Sequence, residues 1–299
     1  MISKILAAKS YGNAEVLEII QQELPPLKNG FARIKVKYAG INPIDARRMT
    51  GEFKHGGLPQ TFGSEFTGSI VEIATNSNGW NIGDDVLGSG GAFTHASVID
   101  VPVENLVLKP ENVSSEIAGT IAGVAQTAVT IIQELGEIKS LLIHGGSGGV
   151  GSITIQLAVE KGIDVVATAS EKNQEYIKSL GATPVVYGPG LIDRIKELHP
   201  ETFDASIDMV GSEEATQTSL AVVKPNGKIG SIAGKPLSSN RVQAMWTKRD
   251  PRKIQYIVDG ISKGKFQWQI DRVFSFEQVH EAYSYLLKGH SKGKNALKF

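Results

Sequence analysis

The segment Ser140-Leu141-Leu142-Ile143-His144-Gly145-Gly146-Ser147-Gly148-Gly149-Val150-Gly151 decides the fold of this chain. Its apolar residues 140–144 are typical of a strand that is buried on both faces. A helix is predicted over 149–161 and a second strand over 164–169, which completes a βαβ unit. Glycines at such a turn let the backbone approach a pyrophosphate, which the N–H groups at the helix N-terminus then bind. The segment predicts a dinucleotide site, with a structural turn as the alternative.

Helices and strands alternate on both sides of this segment, starting near residue 115. Further helices are predicted at 115–135, 171–180, 191–199 and 213–223, and further strands at 184–187, 204–210 and 228–233. Five or so βα units within about 100 residues are typical of a doubly wound parallel sheet. The predicted fold class is therefore α/β.

The first third of the chain is predicted to form a largely antiparallel sheet. Within residues 31–38, apolar side chains alternate with basic ones, which is the period-2 pattern of a strand with one face in water. Strands are also expected at 68–74 and 93–98, with a short helix over 44–49. Residues 250–299 lose the βα spacing and are expected to return to this domain. The predicted domains are 1–120 with 250–299, and 121–249 as an insertion.

Composition excludes several classes of protein. The chain has 299 residues, 41% of them hydrophobic, and 31 basic residues balance 31 acidic ones. A neutral chain is a poor partner for nucleic acid. With no cysteine, it has neither disulfides nor thiolate metal ligands, and none of the six histidines pairs with another at ligand spacing, so no metal is predicted. No signal-type block and no apolar run of about 18 residues is seen, so a cytoplasmic location without membrane contact is expected.

The residues that follow the strand at 164–169 indicate which dinucleotide binds. An NAD site usually places an acid about 20 residues after the glycines, where it accepts from the ribose 2′-hydroxyl. Here Ser170 lies 19 residues after Gly151, and Lys172 follows shortly. A hydroxyl and an ammonium suit a 2′-phosphate, so NADPH is predicted. Glu171 leaves NADH open if the register differs by one residue, or it is simply an acid at a helix start.

Several motifs together resemble one known family. They are Ala39-Gly40-Ile41-Asn42-Pro43-Ile44-Asp45, the stretch 58–68, Gly83-Asp84-Asp85-Val86-Leu87-Gly88, the glycine-rich turn at 145–151 and Gly293-Lys294-Asn295-Ala296-Leu297. In this order and spacing they resemble the zinc-free quinone oxidoreductase branch of the medium-chain dehydrogenase/reductase superfamily. The resemblance implies a GroES-like, β-rich catalytic domain with an inserted Rossmann domain. It also implies a cytosolic homodimer or homotetramer.

The resemblance also implies the chemistry. The zinc-dependent branch has a cysteine where this chain has Asn42, and a Gly-His-Glu triplet where it has Gly63-Ser64-Glu65. Without a metal to polarise a carbonyl, hydride transfer to an already activated acceptor is expected, namely a quinone or an α,β-unsaturated carbonyl. Two alternatives stay open. One is an enoyl thioester reductase, and the other is an NADPH-sensing protein without turnover.

The site residues implied by the resemblance fall into two groups. Those expected at the cofactor are Gly145, Gly148, Gly149 and Val150 at the pyrophosphate, Ser170, Lys172 and Tyr187 around the 2′-phosphate, and Val210. Those expected at the reaction are Thr127 beside the nicotinamide, and Asn42 and Asp45 at the acceptor. Ordinary structural roles remain the alternative for Asp45, Asn42 and Tyr187.

Two departures from the family pattern affect the reaction site. Phe53 stands where many relatives carry a tyrosine, and the residues around Gln126 differ from the usual Gly-Leu-Thr-Ala. No side-chain acid suggests itself as the proton donor, so the proton is expected to come from water.

Overall fold

The computed structural model describes residues 1–54, 56–75, 79–91, 93–289 and 291–299, so His55 and His290 lie outside the described residues. The chain divides into two compact units. The first unit comprises Met1–Gly123, Asp250–Lys265 and Gln269–Phe299, and the second comprises Val124–Arg249 with Phe266–Trp268. The sequence boundary at 120–121 and the structural one at 123–124 both fall inside one long helix.

The strands are numbered in chain order. They are β1 (Ile2–Ala8), β2 (Leu17–Glu23), β3 (Phe31–Ile41), β4 (Gln60–Thr61), β5 (Glu65–Ile73), β6 (Asp85–Ser89), β7 (Val98–Pro102), β8 (Leu106–Leu108), β9 (Ser140–His144), β10 (Asp164–Ala169), β11 (Thr183–Val186), β12 (Phe203–Asp208), β13 (Val223–Ser231), β14 (Val242–Ala244), β15 (Ile270–Ser275) and β16 (Lys294–Lys298).

The α-helices are numbered in the same way. They are α1 (Pro43–Thr50), α2 (Ser115–Leu135), α3 (Gly149–Glu160), α4 (Gln174–Ser179), α5 (Leu191–Leu198), α6 (Glu213–Val222), α7 (Pro251–Ser262) and α8 (Val279–Lys288). The helix predicted over 171–180 begins as a 3-10 turn at Glu171–Asn173 before α4.

The first unit is built on a seven-stranded sheet with the order β15-β16-β3-β5-β6-β8, in which β7 also pairs with β3. All of these pairs are antiparallel except β15 with β16. The apolar face predicted by the alternation is correct, because Ala32, Ile34 and Val36 of β3 are buried in the core of this sheet. The opposite face is not wholly in water, because Arg33 is buried and forms ion pairs with Asp100 and Glu72. Because β16 pairs with β3, the end of the chain belongs to the first unit.

The strand predicted over 93–98 is wrong, because the strand at this place, β7, begins only at Val98. Residues 93–97 instead fold against the turn before β5, where the His95 N–H donates to the Phe62 carbonyl at 2.9 Å and the Phe93 N–H to the Gly63 carbonyl at 3.0 Å. Gly63 makes this approach possible, since it has φ +88° and a Cβ there would lie 2.5 Å from the His95 nitrogen. Among the described residues, this segment meets β1 at one isolated antiparallel bridge, between Ala96 and Ile5, instead of pairing as a strand.

The second unit is a six-stranded parallel sheet with the order β11-β10-β9-β12-β13-β14. This is the doubly wound order in which two halves run outward from the first strand. β9 is buried along its whole length, as the apolar run predicts. The predicted α/β class and parallel sheet are confirmed, and the carboxyl ends of β9, β10 and β12 meet at one edge of the sheet.

The helix α2 is long and apolar enough to cross a membrane by length and composition alone. In the protein 67% of its apolar window is buried, as in the core helix of a globular domain. It therefore gives only weak support to a membrane span.

Candidate active site

The glycine-rich turn between β9 and α3 is fixed to the neighbouring strand β10. The N–H of Gly145 donates to the Thr168 hydroxyl at 3.1 Å, and the N–H of Gly146 donates to the Thr168 carbonyl at 2.9 Å. Gly145 has φ +82°, a conformation that side-chain-bearing residues rarely adopt. The turn is thus held open against the sheet edge at the N-terminus of α3.

Three glycines of this turn differ in what their missing side chains would meet. A Cβ on Gly146 would lie 2.9 Å from the Ala167 Cβ, and a Cβ on Gly151 would overlap the Gly145 carbonyl oxygen. These two glycines are therefore required by packing. Gly148 is not, because its φ is −75° and the nearest atom a Cβ would meet in the described protein is the Gly145 oxygen at 3.6 Å. The fold leaves space at Gly148 that a close-lying ligand can use.

The N-terminus of α3 provides the binding groups at this space. Gly149 and Val150 open the helix, and the first N–H groups of a helix have no acceptor within it. Together with the positive end of the helix dipole they form an anion site. The predicted pyrophosphate residues Gly145, Gly148, Gly149 and Val150 thus lie in one turn, and that turn fits a dinucleotide.

Val210 lies beside the turn, at the end of the next strand in the sheet. A Cβ on Gly145 would be 2.9 Å from the Val210 Cγ2 atom, and Val210 is 48% exposed. Its N–H and that of Gly211 donate to the Asp208 carboxylate at 2.8 and 2.9 Å. Burial raises the pKa of Asp208, and these two amides oppose the rise. The carboxylate shapes the loop that carries Val210.

The residues predicted around the 2′-phosphate meet at the ends of β10 and β11. Ala169 pairs with Val186, so Ser170 and Tyr187 follow directly from paired positions. The Ser170 hydroxyl oxygen is buried and has no hydrogen-bond partner among the described residues. Lys172 is exposed two residues further on. A hydroxyl without a partner, an ammonium and an aromatic hydroxyl therefore lie along one short edge.

Sequence reasoning missed Arg194, which holds the turn that carries Tyr187. Its guanidinium donates to the carbonyls of Val186 at 2.8 Å, Gly188 at 3.0 Å and Pro189 at 2.7 Å. These three carbonyls surround Tyr187 in the chain. The sequence gives only a weak local signal for this role of Arg194. An arginine lies one turn into α5, and two glycines and a proline precede the helix.

Thr127 lies on α2 in the second unit. Its hydroxyl is 2.8 Å from the Thr247 hydroxyl, also in the second unit, and either group can be the donor. This contact links α2 to the segment after β14.

The first unit contains a cluster of polar side chains around the buried Glu65, which we call the Asn42 cluster: Asn42, Ser64, Glu65 and Lys294. The Glu65 carboxylate is fully buried and accepts from the Asn42 Nδ2 at 2.9 Å, the Gly123 N–H at 2.7 Å and the Lys294 Nζ at 2.8 Å. Lys294 is 6% exposed and also donates to the Ile41 carbonyl at 2.9 Å.

The amide of Asn42 has one possible orientation. Lys294 Nζ lies 2.6 Å from the Asn42 Oδ1. An ammonium can only donate and a carboxylate can only accept, so Oδ1 faces Lys294 and Nδ2 faces Glu65. The same Nδ2 is 3.3 Å from the Ser64 hydroxyl oxygen. Asn42 and Ser64 are half-buried, whereas Glu65 and Lys294 lie behind them.

Asp45 connects the two loops that carry Asn42 and Ser64. It is buried, and its Oδ2 accepts from the Asn42 N–H at 2.9 Å while its Oδ1 accepts from the Gly63 N–H at 3.0 Å. Both oxygens therefore bind backbone groups. The contacts described for Asp45 are those of an acid in the first turn of α1.

A buried histidine–tyrosine pair lies behind these loops, and sequence reasoning did not find it. His95 Nε2 is 3.0 Å from the Gly40 carbonyl and Nδ1 is 2.9 Å from the Tyr283 hydroxyl. Because a carbonyl only accepts, Nε2 carries the hydrogen and the tyrosine donates to Nδ1. Burial lowers the pKa of His95 and raises that of Tyr283, so both stay neutral. The pair fixes the end of β3, two residues before Asn42.

Comparisons with known proteins agree with this arrangement of two units. The family described as alcohol dehydrogenase GroES-like domain matches residues 28–134, and the family described as zinc-binding dehydrogenase matches residues 149–258. A protein named 2-methylene-furan-3-one reductase from Solanum lycopersicum is 32% identical, with 95% of this chain and 76% of that protein aligned. The chain belongs to the zinc-free quinone oxidoreductase branch of the medium-chain dehydrogenase/reductase superfamily.

Two further members of the superfamily are similar over nearly the whole chain. The NADPH-dependent alkenal/one oxidoreductase of Arabidopsis thaliana is 30% identical over 95% of this chain and 76% of its own length. The quinone oxidoreductase structure from Coxiella burnetii is 27% identical and superposes with a TM-score of 0.88 over 100% of both chains. This chain is accordingly an oxidoreductase that acts on small molecules and contains a Rossmann-type domain.

The Asn42 cluster does not fit a zinc ion, although one matching family is described as zinc-binding. Asn42 and Ser64 stand where the zinc-dependent branch has a cysteine and a histidine. The oxygens that a metal would need, Asn42 Oδ1 and the Glu65 carboxylate, already bind the Lys294 ammonium. A second cation at the same oxygens would be repelled by the first. No step of the reaction is therefore assigned to a metal.

Proposed function

We propose that this oxidoreductase reduces α,β-unsaturated carbonyl compounds with NADPH, and that quinones are its second class of acceptor. The observation that carries the proposal is the open space at Gly148. Packing within the protein does not require a glycine there, and the space lies next to the backbone amides of Gly149 and Val150. Two relatives of at least 30% identity are named for the reduction of a methylene-furanone and of alkenals and alkenones, which supports the acceptor class.

We assign the preference for NADPH over NADH to Ser170, Lys172 and Tyr187. Among the described residues the buried Ser170 hydroxyl has no hydrogen-bond partner, and a phosphate oxygen would supply one. Each hydrogen bond from a charged group to that phosphate contributes roughly 1.5–3 kcal/mol, and less where water screens it. Glu171 does not lie directly at the end of β10, where an NAD site would place an acid. It is exposed in the first turn of the 3-10 helix, a position that favours an acid.

The Asn42 cluster and Asp45 are assigned to the acceptor side of the reaction, and Thr127 to the nicotinamide side. NADPH, when bound, supplies the hydride. The chain's own residues bind and orient the acceptor, and the half-buried polar groups of the Asn42 cluster stabilise negative charge on its oxygen. Asp45 holds the Asn42 and Gly63 loops at a fixed spacing. Because no ionisable side chain is exposed in the cluster, the proton for the product comes from water.

An acceptor screen tests this function. Purified protein is mixed with NADPH and, in separate assays, with simple enones and enals, quinones, and an enoyl thioester, and the loss of reduced-nicotinamide absorbance is followed. Turnover fastest with enones or enals supports the proposal. Turnover only with the thioester would make the chain an enoyl thioester reductase. Tight NADPH binding with no turnover on any acceptor would make it an NADPH-sensing protein.

Cell location and assembly are proposed with the function. The chain acts on small molecules in the cytoplasm as a homodimer or homotetramer, without nucleic acid or membrane partners. Its neutral charge supports the exclusion of nucleic acid. Light scattering on the purified protein measures the oligomeric state, and cell fractionation measures the location.

A further inference from the structure

We infer that Ser64, rather than Asn42, donates the hydrogen bond to the oxygen of the acceptor. The inference rests on the proposed reduction and names the group that carries out one part of it. Ser64 lies between Gly63 and the start of β5, and it is half-buried, in contrast to the buried Glu65 and Lys294 of the Asn42 cluster. Its oxygen accepts from Asn42 Nδ2, and among the described residues its own hydrogen has no acceptor.

The Asn42 amide has no hydrogen left for a substrate. One N–H is directed at the Glu65 carboxylate at 2.9 Å and the other at Ser64 at 3.3 Å, while Oδ1 accepts from Lys294 at 2.6 Å. Breaking the bond to Glu65 would leave a fully buried carboxylate without one of its donors, which is costly. Asn42 therefore acts through its neighbours, as a positioning residue.

The bonds form a chain that ends at the Ser64 hydroxyl. The Lys294 ammonium donates to Asn42, and Asn42 donates to Ser64. Hydrogen bonds in such a chain polarise one another, so a positive charge at one end strengthens the donor at the other end. Glu65 balances the charge of Lys294 within the buried part of the cluster. The result is a neutral, half-buried donor with increased hydrogen-bonding strength.

This donor matches the charge that develops during reduction of an enone. Hydride adds to the β-carbon, the C=C electron pair moves into the new enolate, and the carbonyl oxygen becomes negative. The Ser64 O–H donates to that oxygen without losing its proton. Water then protonates the α-carbon, so the acceptor gains one hydride and one proton while NADPH is oxidised to NADP⁺. A donor that gains strength as the oxygen becomes negative lowers the barrier more than it strengthens binding.

Three variants test the assignment. Ser64→Ala is expected to lower kcat about 10- to 100-fold, with little change in KM for the enone, since it removes one hydrogen bond to a developing charge. Ser64→Thr retains the hydroxyl and should recover most of the lost rate. Ser284→Ala removes an exposed hydroxyl on α8 and is the matched control. The affinity for NADPH and the thermal unfolding midpoint should be equal in all of them.

A spectroscopic measurement adds a signal that does not depend on turnover. A conjugated aminocinnamaldehyde absorbs further to the red when its carbonyl oxygen accepts a strong hydrogen bond. We expect this red shift on the wild-type protein and on Ser64→Thr, and its loss on Ser64→Ala. An equal shift on wild type and Ser64→Ala, or none on wild type, would overturn the assignment.

Asn42→Ala separates the two candidate donors. If Ser64 is the donor, Asn42→Ala weakens the hydrogen bond from Ser64 only partly. The double variant Asn42→Ala/Ser64→Ala then has nearly the same kcat as Ser64→Ala alone. If Asn42→Ala abolishes the rate while Ser64→Ala is fully active, Asn42 is the donor and our inference is wrong. In that case the wild-type protein still reduces enones, so the proposed function stands. A wild-type protein inactive on every acceptor would instead overturn both.

Discussion

Gly148→Ala is expected to separate coenzyme binding from folding. The added Cβ would meet only the Gly145 oxygen, at 3.6 Å, and the backbone there has φ −75°, which alanine adopts without strain. Replacing glycine by alanine at this backbone angle stabilises a protein by about 0.4–1 kcal/mol through the unfolded chain. Gly148 is also the N-cap of α3, where alanine is less favourable than glycine by a similar amount, so the free energy of unfolding should change by less than about 1 kcal/mol. The same methyl group would occupy the space through which a phosphate reaches the amides of Gly149 and Val150. Losing one of those charged contacts costs roughly 1.5–3 kcal/mol, a Kd about 10- to 150-fold higher.

The assay is a calorimetric titration of NADPH into wild type and Gly148→Ala, together with a thermal unfolding scan of each. Gly146→Ala is the matched control at the same turn, because its Cβ would lie 2.9 Å from the Ala167 Cβ and from the Ile177 side chain. That change should lower the unfolding midpoint. If Gly148→Ala unfolds as early as Gly146→Ala, or binds NADPH as tightly as wild type, the interpretation of the turn is refuted.

The remaining predictions concern the 2′-phosphate edge and a buried histidine. Lys172→Ala should raise the Kd for NADPH about 5- to 10-fold and leave that for NADH unchanged, whereas the exposed Lys178→Ala should change neither; equal losses for both coenzymes would contradict the role of Lys172. Arg194→Met should weaken NADPH about 3- to 10-fold relative to NADH by releasing the turn at Tyr187, and the NADPH/NADH ratio of Kd values measures this. Burial lowers the pKa of His144 to about 4, so the unfolded chain takes up a proton that the folded one does not, and stability should fall by up to about 3 kcal/mol as the pH drops from 6.5 to 4. Denaturant titrations of His144→Leu should show a smaller decrease over that range, and an identical decrease would refute the assignment.

The fold and the glycine-rich turn can be predicted from the sequence because their signals are local. The apolar run of β9, the glycines and the helix that follows lie within about 20 consecutive residues, and Gly146 and Gly151 each have a steric reason. Alternation in β3 identified the sheet of the first unit for the same reason. Local patterns are sufficient where the structure itself is local.

The Asn42 cluster could not be read in this way, because its members are far apart in the chain. Lys294 reaches Asn42 only because β16 pairs with β3, with Asn295 opposite Ile41. The buried pair of His95 and Tyr283 depends on a similar long-range contact. A lysine after a glycine near the end of a chain carries no signal of its own. The strand predicted over 93–98 is wrong because alternation does not reveal that His95 is held by buried hydrogen bonds.

The most direct measurement is a titration of the wild-type protein with NADPH and with NADH, followed by addition of a simple enone to the complex. We predict that NADPH binds at least about 10-fold more tightly than NADH, as one charged contact to the 2′-phosphate requires, and that the enone then oxidises the bound NADPH. If neither coenzyme binds, the glycine turn is only a structural turn and the proposed reduction is wrong.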